Sequence, residues 1–235
     1  MRKSNSASAS SGQLNALIRK YVTDQRFAKL LKLDEKDRYS NETIIEGMLQ
    51  HYGVPTRCID LVDNHWIALW MGLNECQRLK QLNSYYHYNQ RIIPYPEMAI
   101  GNSLDVDELY QYILLIAVPG GIKRKNNGVY ESREYIRVDL RQALPSIFLR
   151  PHAQHGLLIR RIPKDGNSSS DYDVAVSVMG ILKIRIDLAA TWLGNGLLLS
   201  QENLFPAPGY DNGYDLLLSR SDLVSGSGFE IARFV

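Results

Sequence analysis

Apolar positions recur at near-helical spacing from Gln13 to about Leu33, through Leu14, Leu17, Ile18, Tyr21, Val22, Phe27, Leu30 and Leu31. This spacing predicts one or two helices. The Ser/Ala-rich residues 1–12 before them lack periodicity and read as a disordered tail. The charged run Asp34 to Arg38 reads as a solvated connection. Ser40 or Asn41 then offers a cap, with Glu42 in the first turn, for a helix carrying Ile44, Ile45, Met48, Leu49 and Tyr52. That helix must stop before Pro55. A further helix is expected from about His65 to Leu79, capped by Asp63 or Asn64, with Trp66, Leu69, Trp70 and Leu73 on one apolar face.

The texture then changes. Residues 80–108 are polar and rich in Tyr and Asn, which predicts a long excursion with weak structure, serving as a lid or a partner surface. A buried strand is expected at Tyr112 to Val118, ending in the turn Pro119-Gly120-Gly121, and a short one at Tyr135 to Leu140. Others are expected at Phe148 and Leu149, at Gly156 to Ile162, at Val174 to Val178 and at Ile181 to Ile186, with a bend or bulge at Gly180. Lys164 to Asp171 reads as a loop and Leu188 to Leu193 as a short helix ending at Asn195 or Gly196. Arg220 to Val235 is a Ser/Gly segment with a short apolar tail. Helices first and strands afterwards define an α+β fold, with N-terminal helices and a strand-rich C-terminal half, as a single domain over 13–235 without internal repeats.

Composition narrows the partners. A chain of 235 residues that is 45% hydrophobic can bury a substantial core. A net charge of +2 with 22% charged residues argues neither for a general nucleic-acid binder nor for an acidic protein, and leaves room for a local basic patch. Cys58 and Cys76 are too few for a disulfide framework or a zinc site and read as ordinary buried thiols in a reducing compartment. The chain holds no run of about twenty apolar residues. The basic Met1-Arg2-Lys3 is followed by serines rather than an apolar signal core. A soluble cytoplasmic protein without a membrane partner is the expectation.

The densest chemistry lies at Gln50-His-Tyr-Gly-Val-Pro-Thr-Arg-Cys-Ile-Asp60. Gly53 permits unusual backbone angles, and Pro55 stiffens the turn. Two readings weigh evenly on the residues alone. In one, Arg57 holds a phosphate, His51 or Tyr52 stacks on or bonds a ring, and Asp60 orients Arg57 or acts as a base. In the other, Arg57 and Asp60 pair internally and pin a kink. A second cluster is Arg150, His152, Gln154 and His155 before Gly156. On a strand, His152 and Gln154 share one face and His155 takes the other. Gln154 either meets a ligand amide or ribose or bonds nearby backbone. The two histidines read as solvent-facing or satisfied, and no metal set is completed around them.

Other patterns are weak. Pro119-Gly120-Gly121 lacks the P-loop pattern, and Gly194-Asn195-Gly196 is a fragment of a dinucleotide fingerprint in the wrong order. Trp66 and Trp70 read as core. Tyr85 to Tyr88 lack the interleaved Arg or Lys of a base-stacking platform.

QHYGVPTRCID at 50–60, NHWIALWMGL at 64–73, RPHAQHGLL at 150–158 and LGNGLLLSQENLFP at 193–206 resemble the signature segments of the FRG domain family. The likeness runs from about Glu42 to about Leu218. The Phe/Tyr-Arg-Gly that names the family is not found in this chain. The resemblance tilts the two clusters toward a pocket for a nucleotide-like small molecule, with Gln50, His51, Tyr52, Arg57, Asp60, Arg150 and Gln154 as ligand-binding residues. It implies an ADP-ribosyltransferase-like, NAD-using effector in bacterial or phage conflict, acting on a nucleic-acid or protein acceptor it does not specify and needing no metal. In such an enzyme Arg57 offsets pyrophosphate charge, and Glu131 or Glu134 stabilises the oxocarbenium-like centre. The alternative is a non-catalytic ligand- or partner-binding module that senses rather than reacts. The enzyme requires Arg57, Gln154 and a carboxylate in one cleft; the module does not.

Overall fold

In a computed structural model the described residues are 11–79, 85–91, 109–117, 122–123, 128–162 and 174–234. The N-terminal periodicity resolves into α1 (Ser11–Thr23) and α2 (Gln25–Leu30), with Asp24 capping α2 through hydrogen bonds from the Arg26 and Phe27 amides. Ser11 and Gly12, expected in the tail, belong to α1. Helix α3 (Arg38–His51) starts earlier than Ser40 or Asn41, because Asp37 accepts from the Ser40 amide and hydroxyl. Ser40 and Asn41 are buried instead, and Asn41 ties the connection down by bonding both backbone groups of Asp34.

The end of α3 is fixed by a paired hydrogen-bond stop. The Val54 amide reaches back to the Leu49 carbonyl and the Gly53 amide to that of Gln50. Gly53 takes φ +94, the left-handed angle this stop requires, and Val54 packs in the same core as Leu49. After β1 (Ile59–Val62), Asn64 caps α4 (His65–Leu73). This helix ends six residues short of the expected Leu79. Asn74–Arg78 instead forms β2, paired antiparallel with β3 (Tyr85–Gln90) inside the stretch expected to lack structure. Tertiary packing overrides local pattern there: the Tyr88 ring packs at a tilt on Phe205 and Trp70, with ring centres 4.5 and 5.3 Å away. The remainder of 80–108 apart from Arg91, like the Pro119 turn, lies outside the described residues.

The rest of the chain supplies β4 (Tyr110–Ile116), β5 (Ile122–Lys123), β6 (Val129–Glu131), β7 (Tyr135–Asp139), α5 (Leu140–Ala143), α6 (Leu149–Ala153) and β8 (Gly156–Arg161). It continues with β9 (Val178–Arg185), α7 (Ile186–Trp192), α8 (Gln201–Leu204), α9 (Asn212–Ser219), α10 (Ser221–Val224) and β10 (Arg233–Phe234). Three expectations change. Leu149 and the Arg150 cluster form helix α6 rather than a strand, with Pro151 in its opening turn where its missing N–H costs nothing. Val174 precedes a 3₁₀ turn at Ala175–Ser177, and β9 is one strand through Gly180, with its bulge opposite Leu115 and Ile116. Helix α7 begins two residues before Leu188.

The strands form a five-stranded antiparallel sheet, β1-β8-β7-β6-β5, a three-stranded sheet, β10-β3-β2, and a two-stranded ribbon, β4-β9. Helix α3 lies directly on the large sheet. A side chain at Gly47 would meet Leu158 at 2.8 Å and Leu140 at 3.1 Å, so the close approach depends on this glycine. One core joins α1, α3, the large sheet and α9; a second joins α4, α7, Leu204 and Phe205. The α+β expectation, with leading helices and a strand-rich second half, is what the chain adopts. Among the described residues no helix is long and apolar enough to cross a membrane.

Candidate functional site

At the corner after α3, the sequence pattern omitted one residue. Glu46, whose side chain is 2% exposed, receives Arg57 Nε at 2.9 Å and Arg57 Nη2 at 2.8 Å. Arg160 Nη1 donates to the same carboxylate at 2.9 Å. Two guanidinium groups thus converge on one buried acid. Arg57 therefore does not pair with Asp60 as its main partner. Asp60 accepts from Gln50, whose amide oxygen takes the Thr56 amide and hydroxyl. Gln50, Arg57 and Asp60 are all drawn into bonds that hold the turn. Cys58 beside them and Cys76 are free thiols, each partly exposed rather than fully buried. Burial, reinforced by the Glu46 charge, pushes the Cys58 thiol up to about 12, so it stays protonated and unreactive.

His51 and Tyr52 point inward. The His51 ring lies against Gly156, where an added side chain would come within 2.8 Å of it. Burial and the nearby Arg150 charge lower its pKa to about 3, so it is neutral. The Tyr52 hydroxyl donates to Asp211 at 2.7 Å, and burial raises its pKa far above the ordinary phenol value. Asp211 also accepts the backbone amides of Arg150 and Tyr214. The Arg150 guanidinium is fully buried. It faces the rings of Phe234, Tyr214, Tyr52 and Phe205 at 4.4, 4.6, 4.7 and 5.4 Å and donates to the His51 carbonyl. Aromatic faces replace a carboxylate as its counter-charge. Gln154, at the end of α6, donates to the Leu204 carbonyl at 2.7 Å and is buried.

The proposed pocket of Arg57, Gln154 and a carboxylate is not assembled. Strand β1 runs antiparallel to β8, with Ile59 opposite Ile159 and Val62 opposite Gly156. Arg57 is tied to Arg160 through Glu46, whereas Gln154 lies just before Gly156. Four strand residues separate those ends, about 13 Å. Glu131 sits opposite Ile136, which faces Arg160, so it lies two strands away from Arg160, about 10 Å. Glu134 is in the β6–β7 turn, where its carbonyl accepts the Ile162 amide. Neither glutamate approaches Gln154.

The open chemistry is at the other end of β1–β8. A cleft of about 310 Å³ is bounded by Asn64, Trp66 and Ile67, by Ala153 and His155, and by Leu193, Leu198 and Leu199. Trp66, expected in the core, is 42% exposed on this wall, while Trp70 is buried. His155 bears φ +50. A left-handed conformation at a residue other than glycine costs on the order of 1–3 kcal/mol and recurs at functional sites. Its Nδ1 lies 3.1 Å from Asp63 Oδ1 and 3.2 Å from Arg141 Nη1. Arg141 also spans Asp63 and Asp139. Burial opposes ionisation of Asp63, yet the bonds and charges of Arg141 and His155 hold its carboxyl below the usual range. The hydrogen bond to Asp139, followed by that to Asp63, raises Arg141. The opposite wall is Leu193, Leu198 and Leu199, flanking a turn in which Gly194 and Gly196 adopt positive φ freely and Asn195 holds φ +52.

A second cleft of about 570 Å³ shares Ala153 and continues past His152 to Gln201, Phe205, Tyr210 and Phe234. The Gln154–Leu204 bond ties together the two segments that wall both openings. His152 and Gln154 do not share a strand face, because α6 is a helix. Asp63 is legible in the sequence as a neighbour of the α4 cap; Arg141 carries no sequence signal, since the fold brings it across 78 residues. Among the described residues no group of three or more His, Cys, Asp or Glu is placed to hold a metal ion.

No family model matches the chain, and no curated protein or solved structure matches it.

Proposed function

We propose that the chain is a binding module of the FRG type that recognises a small, largely apolar molecule bearing one polar group, and that the His155 cleft is where it does so. One observation carries this reading. Segments 64–73, 150–158 and 193–206 resemble the family's signatures, and all three contribute walls to this single cleft. The corner containing Arg57 is occupied by its own internal bonds. The cleft volume lies at the small end of ligand pockets, which run from about 300 to 1,000 Å³. Its walls are Trp66, Ile67 and three leucines, with His155 and Asn64 as polar groups. The apolar body of a ligand would lie against Trp66 and Leu198 while its polar group meets the His155–Asp63 pair. An NAD-using activity would need a carboxylate beside Arg57 and Gln154, and no observation favours that arrangement.

The test is a thermal-shift screen in which NAD and nucleotides are run beside indole, benzoate and cyclohexanol. A ligand that binds only the native state raises its melting temperature. Trp66→Ala and Leu198→Asp should lose the response to the apolar probes, and Arg57→Ala should keep it. A response to NAD that Arg57→Ala abolishes and Trp66→Ala preserves, or nicotinamide release from labelled NAD, would overturn the binding-module reading.

A further inference from the structure

The β4–β9 ribbon is apolar on a face that no other described element covers. Its inner face is anchored at one end, where Gln111 is buried against Gly72 and Ile113 and Ile184 pack into the second core, while Leu182 and Leu115 further along that face stay about half exposed. Side chains alternate along a strand, so Tyr112, Leu114 and Ile181 fall on the outer face. Leu114 stands opposite Ile181 and Tyr112 opposite Lys183. Met179, in the bulge, continues this face two residues beyond Ile181. Exposure is 75% for Met179 and 60% for Ile181, and about half for Tyr112 and Leu114. Val176, in the adjoining turn, is also open. Together these residues expose on the order of 600 Å² of surface, most of it apolar, at the upper end of patches seen on monomers.

We propose that this face packs against the same face of a second copy of the chain. Two such faces bury about 1,200 Å², the lower bound of a standard specific interface. The charge pattern fits a two-fold axis. Lys183 and Arg185, the cations on the face, lie at one end: the Lys183 ammonium is 4.2 Å from the Tyr110 ring and 5.5 Å from that of Tyr112, and Arg185 pairs with Asp187. Met179 marks the other end. An axis in the interface plane, across the strands near Leu114 and Ile181, places the Lys183 end of one copy on the Met179 end of the other. The two ammonium groups are then kept apart, and each tyrosine–methionine contact occurs twice, as an isologous interface requires. The bulge opposite Leu115 and Ile116 twists the ribbon edge and disfavours edge-to-edge strand addition, which leaves face packing as the mode.

Sedimentation equilibrium of the full chain at micromolar concentrations tests this. The wild type should be dimeric. Ile181→Asp places two desolvated charges in the interface and should raise the dimer dissociation constant by about a hundredfold. Met179→Glu, at the most open position, should dissociate the dimer with an unchanged circular-dichroism spectrum, which covers the case in which Ile181→Asp fails to fold. Tyr210→Ser, at the larger cleft, should remain dimeric. A wild type that is monomeric throughout the range, or a dimer that survives Met179→Glu, would overturn the proposal.

Discussion

The two ends of the β1–β8 strand pair are built from similar residue types and use them in opposite ways. At the Arg57 end a nearly inaccessible glutamate holds two guanidinium groups, and the surrounding amides and hydroxyls are spent on one another. At the His155 end an arginine, two aspartates and an imidazole form a comparable network, but it is open to water and borders an apolar hollow. Burial decides the difference. A charge removed from water must be matched and stays fixed, whereas a half-exposed network is weak in stability terms and free to meet a ligand. Polar density in a sequence therefore marks an organised corner without saying which side of it is open.

The sharpest way to break this contrast is Glu46→Ala. It strands two cations around an empty site and should cost about 3–5 kcal/mol in denaturant unfolding. Asp63→Asn, at the open end, should cost under about 1 kcal/mol. A similar loss from both would erase the distinction. Next is pH. His51 binds a proton freely when unfolded, near the ordinary 6.5, but not in the native state until about 3. Its contribution is thus intact above pH 6.5 and lost as pH falls below it, by about 1.4 kcal/mol per pH unit. Unfolding measured from pH 7 to 5 should show this slope, and His51→Asn should flatten it. Tyr52→Phe leaves Asp211 short of one donor and should cost about 1–3 kcal/mol, read by the same denaturation. Smallest is His155→Asn. Asparagine tolerates the left-handed angle, so stability should stay within about 0.5 kcal/mol while the thermal response to cleft ligands falls.

The elements with strong local signals were legible. The α3 stop at Gly53 and Pro55, the Asn64 cap and the β7 and β8 strands follow from residues adjacent in the chain. What failed depended on distant partners. Asn74–Arg78 has no strand pattern of its own and becomes one because aromatic packing holds β3 beside it. Arg150 reads as a strand residue until Asp211, 61 positions later, receives its amide at the start of a helix. Arg57 reads as a ligand-facing cation because Glu46, 11 residues back within α3, gives no hint of being buried. For the candidate site, Gln154 turns away to the Leu204 carbonyl, and it is His155, bonded to Asp63, that borders the smaller cleft.

The bond from Tyr52 to Asp211 spans 159 residues. At a synthesis rate of about 5–20 residues per second, the ribosome needs roughly 8–30 seconds to deliver that aspartate after the tyrosine emerges. During this interval the inner side of α3 has neither its acid nor Phe234 and the other rings that box in Arg150. The nascent chain must keep an unfinished aromatic interior away from other molecules for that whole period.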